Sequence, residues 1–156
     1  SVFDKVLSNK NIDLKVGREN IKLQQIAVST ISHKDFCTLK PDFTIEKSIN
    51  QMVKLKKSEG YLIDGDEKLL NKFELHQLIS EKNKNKKISK LHQLKFLKLY
   101  SESNIFESIE KSKDFVGESI PIVTKQNKMF GIISEGDLFQ IFLKVNREEK
   151  ELENKD

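Results

Sequence analysis

Ser134 and Asp137 sit at a spacing that chemistry can use, three residues apart. They follow the apolar run Gly131-Ile132-Ile133 and precede Leu138, Ile141, Phe142 and Val145, which recur at helical spacing. That places both at a strand-to-helix junction. There the free N–H groups of the helix start and the Ser134 hydroxyl can meet an anion such as a phosphate. A carboxylate accepts two hydrogen bonds at once, and charge-assisted bonds are the stronger kind, so Asp137 can take a pair of donors. Ser-x-x-Asp also has the form of a capping box, in which both residues serve only their own helix. The two roles are compatible.

Little else in the chain suggests chemistry. His33, His76 and His92 are scattered, and none stands at a triad or metal-ligand spacing with Cys37 or a serine. No glycine-rich phosphate loop occurs, so nucleotide hydrolysis has no visible machinery. The sequence therefore predicts a binding protein and not an enzyme, without catalytic residues or a metal. A lone cysteine excludes an internal disulfide, suggests a reducing compartment, and reads as a small buried hydrophobe. Twenty-eight basic residues against 24 acidic ones leave a net charge of +4, a weak bias toward anionic partners. No apolar run approaches the roughly 20 residues that span a bilayer. A soluble piece of a larger protein is expected, starting as it does at Ser1.

The elements that must position Ser134 and Asp137 occur twice. Setting residue i beside residue i+60 from Phe36 to Ser80 aligns seven identities without a gap: Phe36/Phe96, Leu39/Leu99, Ile45/Ile105, Ser48/Ser108, Ile49/Ile109, Lys68/Lys128 and Leu78/Leu138. The order of elements repeats too: strand, helix, two strands joined by a turn, helix. In the first copy Thr44 caps a helix with Ile45, Ile49, Met52 and Val53 on one face, and Gly60 is expected to stop it. Tyr61-Leu62-Ile63 and Leu69-Leu70 read as strands around the Asp64-Gly65-Asp66 turn, and Leu75, Leu78 and Ile79 mark the closing helix. In the second copy Asn104 is the cap, Ile120-Pro121-Ile122-Val123 and Met129 to Ile133 are the strands, and the last helix runs from Asp137 to about Val145.

Residues 81–90 between the copies are rich in lysine and asparagine and read as a solvated connection. Without interleaved aromatics they do not suggest nucleic-acid binding. Residues 146–156 are almost wholly polar and are expected to fray.

A doubled β-α-β-β-α unit whose second copy ends Gly131-Ile132-Ile133-Ser134-Glu135-Gly136-Asp137-Leu138, with Ser119-Ile120-Pro121-Ile122-Val123 upstream, resembles a pair of CBS domains. The resemblance covers about residues 28 to 145. It implies an α/β (α+β) fold of two tandem units packed as a pseudo-two-fold pair: a lead-in over 1–27, a first unit over 28–81, a basic connection over 82–91, a second unit over 92–145 and a polar tail over 146–156. Ser1 to Leu7, Ile12-Asp13-Leu14, Gly17-Arg18-Glu19 and Ile26-Ala27-Val28 with Ile31 are similar to the segment that leads from the membrane domain of ClC chloride channels into their CBS pair.

That resemblance implies a groove between the units for an adenine nucleotide, ATP, ADP or AMP, as a regulatory ligand and not a required cofactor. Asp137 would hold the ribose and Ser134 a phosphate. Ile120 and Pro121 would line the adenine slot, with Thr44, Ser58, Glu59 and Tyr61 contributed by the first unit. Glu59 stands where a small polar residue is common, which weighs against close phosphate approach. The first copy departs from the motif at Asn71, Lys72, Glu74 and Gln77, so one nucleotide per pair is expected. The implied setting is the cytoplasmic part of an integral membrane chloride channel or transporter, working as a homodimer, without nucleic acid. The competing expectations are a structural dimerisation domain without ligand and a stand-alone metabolic sensor.

Overall fold

Both copies of the repeat are built by the same local devices, one register of sixty residues apart. In the computed structural model, which describes residues 18–154, the chain opens with helix α1 (Arg18–Gln25) and a 3-10 turn at Val28–Ile31. The first copy then runs β1 (Cys37–Leu39), α2 (Ile45–Lys54), β2 (Glu59–Ile63), β3 (Leu69–Glu74) and α3 (Leu75–Ile79). After a 3-10 turn at Ile88–Lys90, the second runs β4 (Leu99–Tyr100), α4 (Ile105–Lys111), β5 (Ile120–Val123), β6 (Met129–Ile133) and α5 (Glu135–Asn154). The architecture is mixed α and β, with two three-stranded sheets ordered β1-β2-β3 and β4-β5-β6.

The helix starts explain several residues of the repeat. Thr44 Oγ1 accepts the Lys47 N–H at 3.1 Å, and Asn104 Oδ1 accepts the Glu107 N–H at 2.8 Å, each filling a donor the first helical turn leaves open. Ser48 and Ser108, identical in the two copies, are fully buried and donate their hydroxyls to the cap carbonyls of Thr44 and Asn104, both at 2.9 Å. A buried hydroxyl needs such an acceptor, so the repeated serine follows from the repeated cap.

Both hairpin turns also match. The Asp64 carboxylate accepts the N–H groups of Asp66 and Lys68, each at 2.9 Å, while Thr124 Oγ1 accepts from Lys128 N at 3.1 Å. The residues in left-handed backbone are Glu67 (φ 65°) and Asn127 (φ 64°), again sixty apart, and not Gly65. The two turns meet through main-chain bonds, Leu69 N to Asn127 O at 3.0 Å and Met129 N to Glu67 O at 2.9 Å.

Gly60 does not stop α2. The helix closes through Lys56, left-handed at φ 56°, whose N–H bonds Val53 O, with Lys57 N bonding Met52 O. This is a Schellman termination without its usual glycine. Gly60 lies inside β2, the central strand, paired with Cys37 on one side and Phe73 on the other. A Cβ there would come within 2.7 Å of Leu39 Cδ1 and 3.2 Å of Met52 Sδ, so the glycine serves close packing.

The chain forms two compact units that interleave the copies. One comprises described residues up to His33 with 97–122 and 132–154; the other comprises 34–96 with 123–131. In the second unit Cys37, Leu39, Ile45, Met52, Leu62, Phe73, Leu78 and Ile88 form one buried cluster. Burial pushes the Cys37 thiol up to about 11, partly offset by the charge of Lys57. Ile88 belongs to that core and its N–H bonds Phe43 O, so the lysine-rich connection is tied down rather than loosely solvated. Lys87 Nζ holds Asp42 O at 2.8 Å, and Lys84 Nζ holds the carbonyls of Ile79 and Glu81.

In the first unit, Ala27 pairs with Asn104 and Val28 N bonds Ser103 O, so the segment ahead of the first copy packs on the second copy. The expected frayed tail is instead helical to Asn154. Its Glu149 is 5% exposed and pairs with Lys22 of α1 at 3.4 Å. A polar stretch holds helix here because α1 gives its buried carboxylate a partner. Among the described residues no helix is long and apolar enough to cross a membrane. The stretch that resembles a channel lead-in, Ser1 to Gly17, lies outside the described residues.

Candidate ligand-binding site

The chain leaves β6 at Ile133 and enters α5 at Glu135, so Ser134 sits at the junction and Asp137 in the first helical turn. Their bonds are reciprocal. Ser134 N donates to Asp137 Oδ2 at 3.0 Å, and Asp137 N donates to Ser134 Oγ at 3.0 Å. This is the capping box expected from the spacing. The Asp137 side chain is nevertheless 40% exposed, and its Oδ1 has no protein partner among the described residues. The Ser134 hydroxyl, accepting one bond, keeps its proton to donate.

A third side chain reaches this pair. His33 Nε2 lies 3.3 Å from Asp137 Oδ2, although 104 positions separate them in the chain (137 less 33). Main-chain bonds in both directions, His33 N to Ile132 O at 3.0 Å and Ile132 N to His33 O at 2.8 Å, hold it against β6. Beside them, Glu135 buries Oε2 with no hydrogen-bond partner among the described residues, a buried acceptor that a donor would satisfy. Spacing gave no signal for His33, because antiparallel pairing between distant segments leaves no local pattern.

The same compact unit holds Ile120 and Pro121 on β5, both buried. The other candidates, Thr44, Ser58, Glu59 and Tyr61, belong to the second unit. There Thr44 Oγ1 caps α2. Ser58 is exposed, and its carbonyl accepts from Leu75 N at 2.8 Å. Tyr61 is 1% exposed and meets Phe36 edge to face at 6.2 Å, so its ring is a core ring. Glu59, 7% exposed, pairs with Lys72 at 3.1 Å, and Lys72 Nζ also lies 5.8 Å from the Tyr61 ring centroid.

Those last contacts give physical content to the departures in the first copy. Glu59 and Lys72 occupy the positions of Ser119 and Ile132, and a buried carboxylate is tolerable only with such a cation beside it. Glu74 and Gln77, in place of Ser134 and Asp137, still form a capping box, with Gln77 Oε1 accepting from Glu74 N at 3.4 Å. The fold of the junction thus survives without an aspartate at the position of Asp137. Among the described residues no group of three or more His, Cys, Asp or Glu side chains is placed to hold a metal ion.

No family model and no curated protein matches this sequence. Solved structures do match. A CBS domain pair/ACT domain protein from Thermotoga maritima superposes with a TM-score of 0.66 at 14% identity, over 76% of this chain and 98% of that one. The protein CBSX2, solved with AMP, gives 0.62 at 17% identity over 78% of this chain and 98% of that one. The cytosolic domain of the Mg2+ channel MgtE, solved with ATP, gives 0.67 at 13% identity over 77% of this chain and 50% of that one. At these identities the likeness is one of fold, and the fold of this chain is that of a CBS domain pair.

Proposed function

We propose that this chain, which has the fold of a CBS domain pair, is a non-enzymatic sensor of adenine nucleotides that regulates an attached transport domain. The observation that carries this reading is the Ser134–Asp137 pair at the start of α5: half-exposed, with one carboxylate oxygen and one hydroxyl proton still open. Asp137 suits a ribose hydroxyl, and Ser134 and the N-terminal N–H groups of α5 suit a phosphate; Ile120 and Pro121, proposed for the base, are buried, so they contribute only through the edge of β5. Thr44, Ser58, Glu59 and Tyr61 remain proposed contributors only through exposed atoms, which weighs against the Tyr61 ring and the Glu59 carboxylate. Complexes with ATP and AMP among proteins of this fold support the choice of ligand class.

Ligand binding to such a module acts by favouring one of two packings, and the attached domain follows that shift. The domain proposed is a ClC-type chloride channel or transporter, supported by the resemblance of the residues leading up to Glu19. A Mg2+ channel carries the same fold, which supports attachment to a transport protein. The module is proposed to sit on the cytoplasmic side and to act as a homodimer. A monomer in sedimentation equilibrium would remove the latter.

Calorimetry with ATP, ADP and AMP tests the central reading. Asp137→Ala is expected to abolish binding while the fold stays cooperative, at a capping cost of about 1 kcal/mol. Unchanged affinity would remove the ribose assignment. One observation favours a purely structural dimerisation domain: the Glu74–Gln77 box shows that this junction needs no ligand to form. Absence of heat with every adenine compound would select that reading.

A further inference from the structure

We propose that His33 is a positioning residue for Asp137, fixing which carboxylate oxygen meets the ligand; the inference rests on the nucleotide reading above and names how that site is tuned. A carboxylate oxygen has about two lone-pair sites. On Asp137 Oδ2 one is taken by the Ser134 N–H at 3.0 Å, and His33 Nε2 stands 3.3 Å from the same oxygen, covering it on its other side. Oδ2 is thus enclosed by the Ser134 main chain and the imidazole, and a ribose hydroxyl meets Oδ1.

His33 is well placed for this task. Its main chain is clamped to Ile132 by two hydrogen bonds, and Ile132 lies two residues before Ser134, so the ring is anchored to the strand that carries the motif. Its side chain is 50% exposed and that of Asp137 40%, so neither is sealed from a ligand. Without His33, Oδ2 keeps only the Ser134 N–H, and the carboxylate must be ordered when the ligand arrives. Ordering one side chain costs on the order of tenfold in affinity.

Calorimetry on the full 156-residue chain with ATP, and with 2′,3′-dideoxy-ATP as the ligand lacking both ribose hydroxyls, tests the assignment. His33→Ala is expected to weaken ATP about tenfold and to leave dideoxy-ATP unchanged. His33→Gln, whose amide also donates from Nε2, restores ATP binding, and in an Asp137→Ala background His33→Ala has no further effect. An equal loss for both nucleotides, or no loss for ATP, overturns the role of His33 while leaving the nucleotide site standing. Failure of the native chain to bind either nucleotide overturns the site and His33 together.

Discussion

Substituting Gly60 with alanine adds one methyl group at a crowded point of the β1-β2-β3 sheet. The added carbon would lie 2.7 Å from Leu39 Cδ1, 3.1 Å from Leu39 Cγ and 3.2 Å from Met52 Sδ, inside ordinary contact on two sides. Leu39 and Met52 are both fully buried, so neither side chain can swing into solvent to make room. Overpacking of this kind costs about 1–3 kcal/mol, and the lower backbone entropy of alanine in a strand returns about 0.5–1 kcal/mol. The net expectation is a loss of about 1–2 kcal/mol, a fall in Tm of roughly 2–8 °C for a chain of this size. Urea unfolding and calorimetry measure it, and the cause is isolated by repeating the substitution in a Leu39→Ala background. There the Leu39 contacts are gone, only the 3.2 Å approach to Met52 Sδ remains, and the penalty should shrink. The second copy makes the same point in its own residues: Ile120 and Ser112 stand where the first has Gly60 and Met52, large for small and small for large. A neutral or stabilising Gly60→Ala, or an undiminished penalty in the Leu39→Ala background, would refute the packing argument.

Replacing Glu59 and Lys72 together by Ser and Ile, the residues of the second copy, is expected to change stability by less than about 1 kcal/mol, whereas Lys72→Ile alone should cost about 3 kcal/mol by depriving a buried carboxylate of its cation. Equal effects in denaturant titrations would contradict this. Glu67→Gly should stabilise by about 0.5–1 kcal/mol, because φ 65° strains a side-chain-bearing residue more than glycine's entropy costs, and differential scanning calorimetry reads the gain. The Cys37 thiol, held neutral by burial to about 11, should react with a thiol reagent only at the rate of unfolding. Its raised value also means that the folded state keeps a proton the unfolded chain loses first. The stabilising effect is therefore complete below about pH 9 and disappears toward 11, with a slope of up to about 1.4 kcal/mol per pH unit relative to Cys37→Ala.

The repeat register of sixty carried most of the fold, because helix caps, hairpin turns and apolar faces are local and leave local patterns. Thr44, Asn104 and the Ser134–Asp137 box stand where their residue types put them. What the sequence hid depends on partners remote in the chain. Gly60 looked like a helix stop because glycine's use against Leu39 and Met52 is invisible without the sheet. The tail was expected to fray because Lys22, the partner of Glu149, lies more than a hundred residues away. His33 escaped for the same reason, and Lys72 read as loss of a motif until Glu59 appeared beside it.

The strands that close each copy are edged by chain from elsewhere. His33, ahead of the first copy, bonds Ile132 on β6, while the stretch just ahead of the second copy touches β3, with Gln93 Nε2 on Leu70 O at 3.0 Å and Asn71 Nδ2 on His92 O at 3.3 Å. A half-length chain carrying one copy would therefore present its last strand with nothing of its own to cover it. Two such halves could satisfy each other only by trading their leading segments. Expressed separately, the halves should then reassemble from solution as a reciprocal exchange.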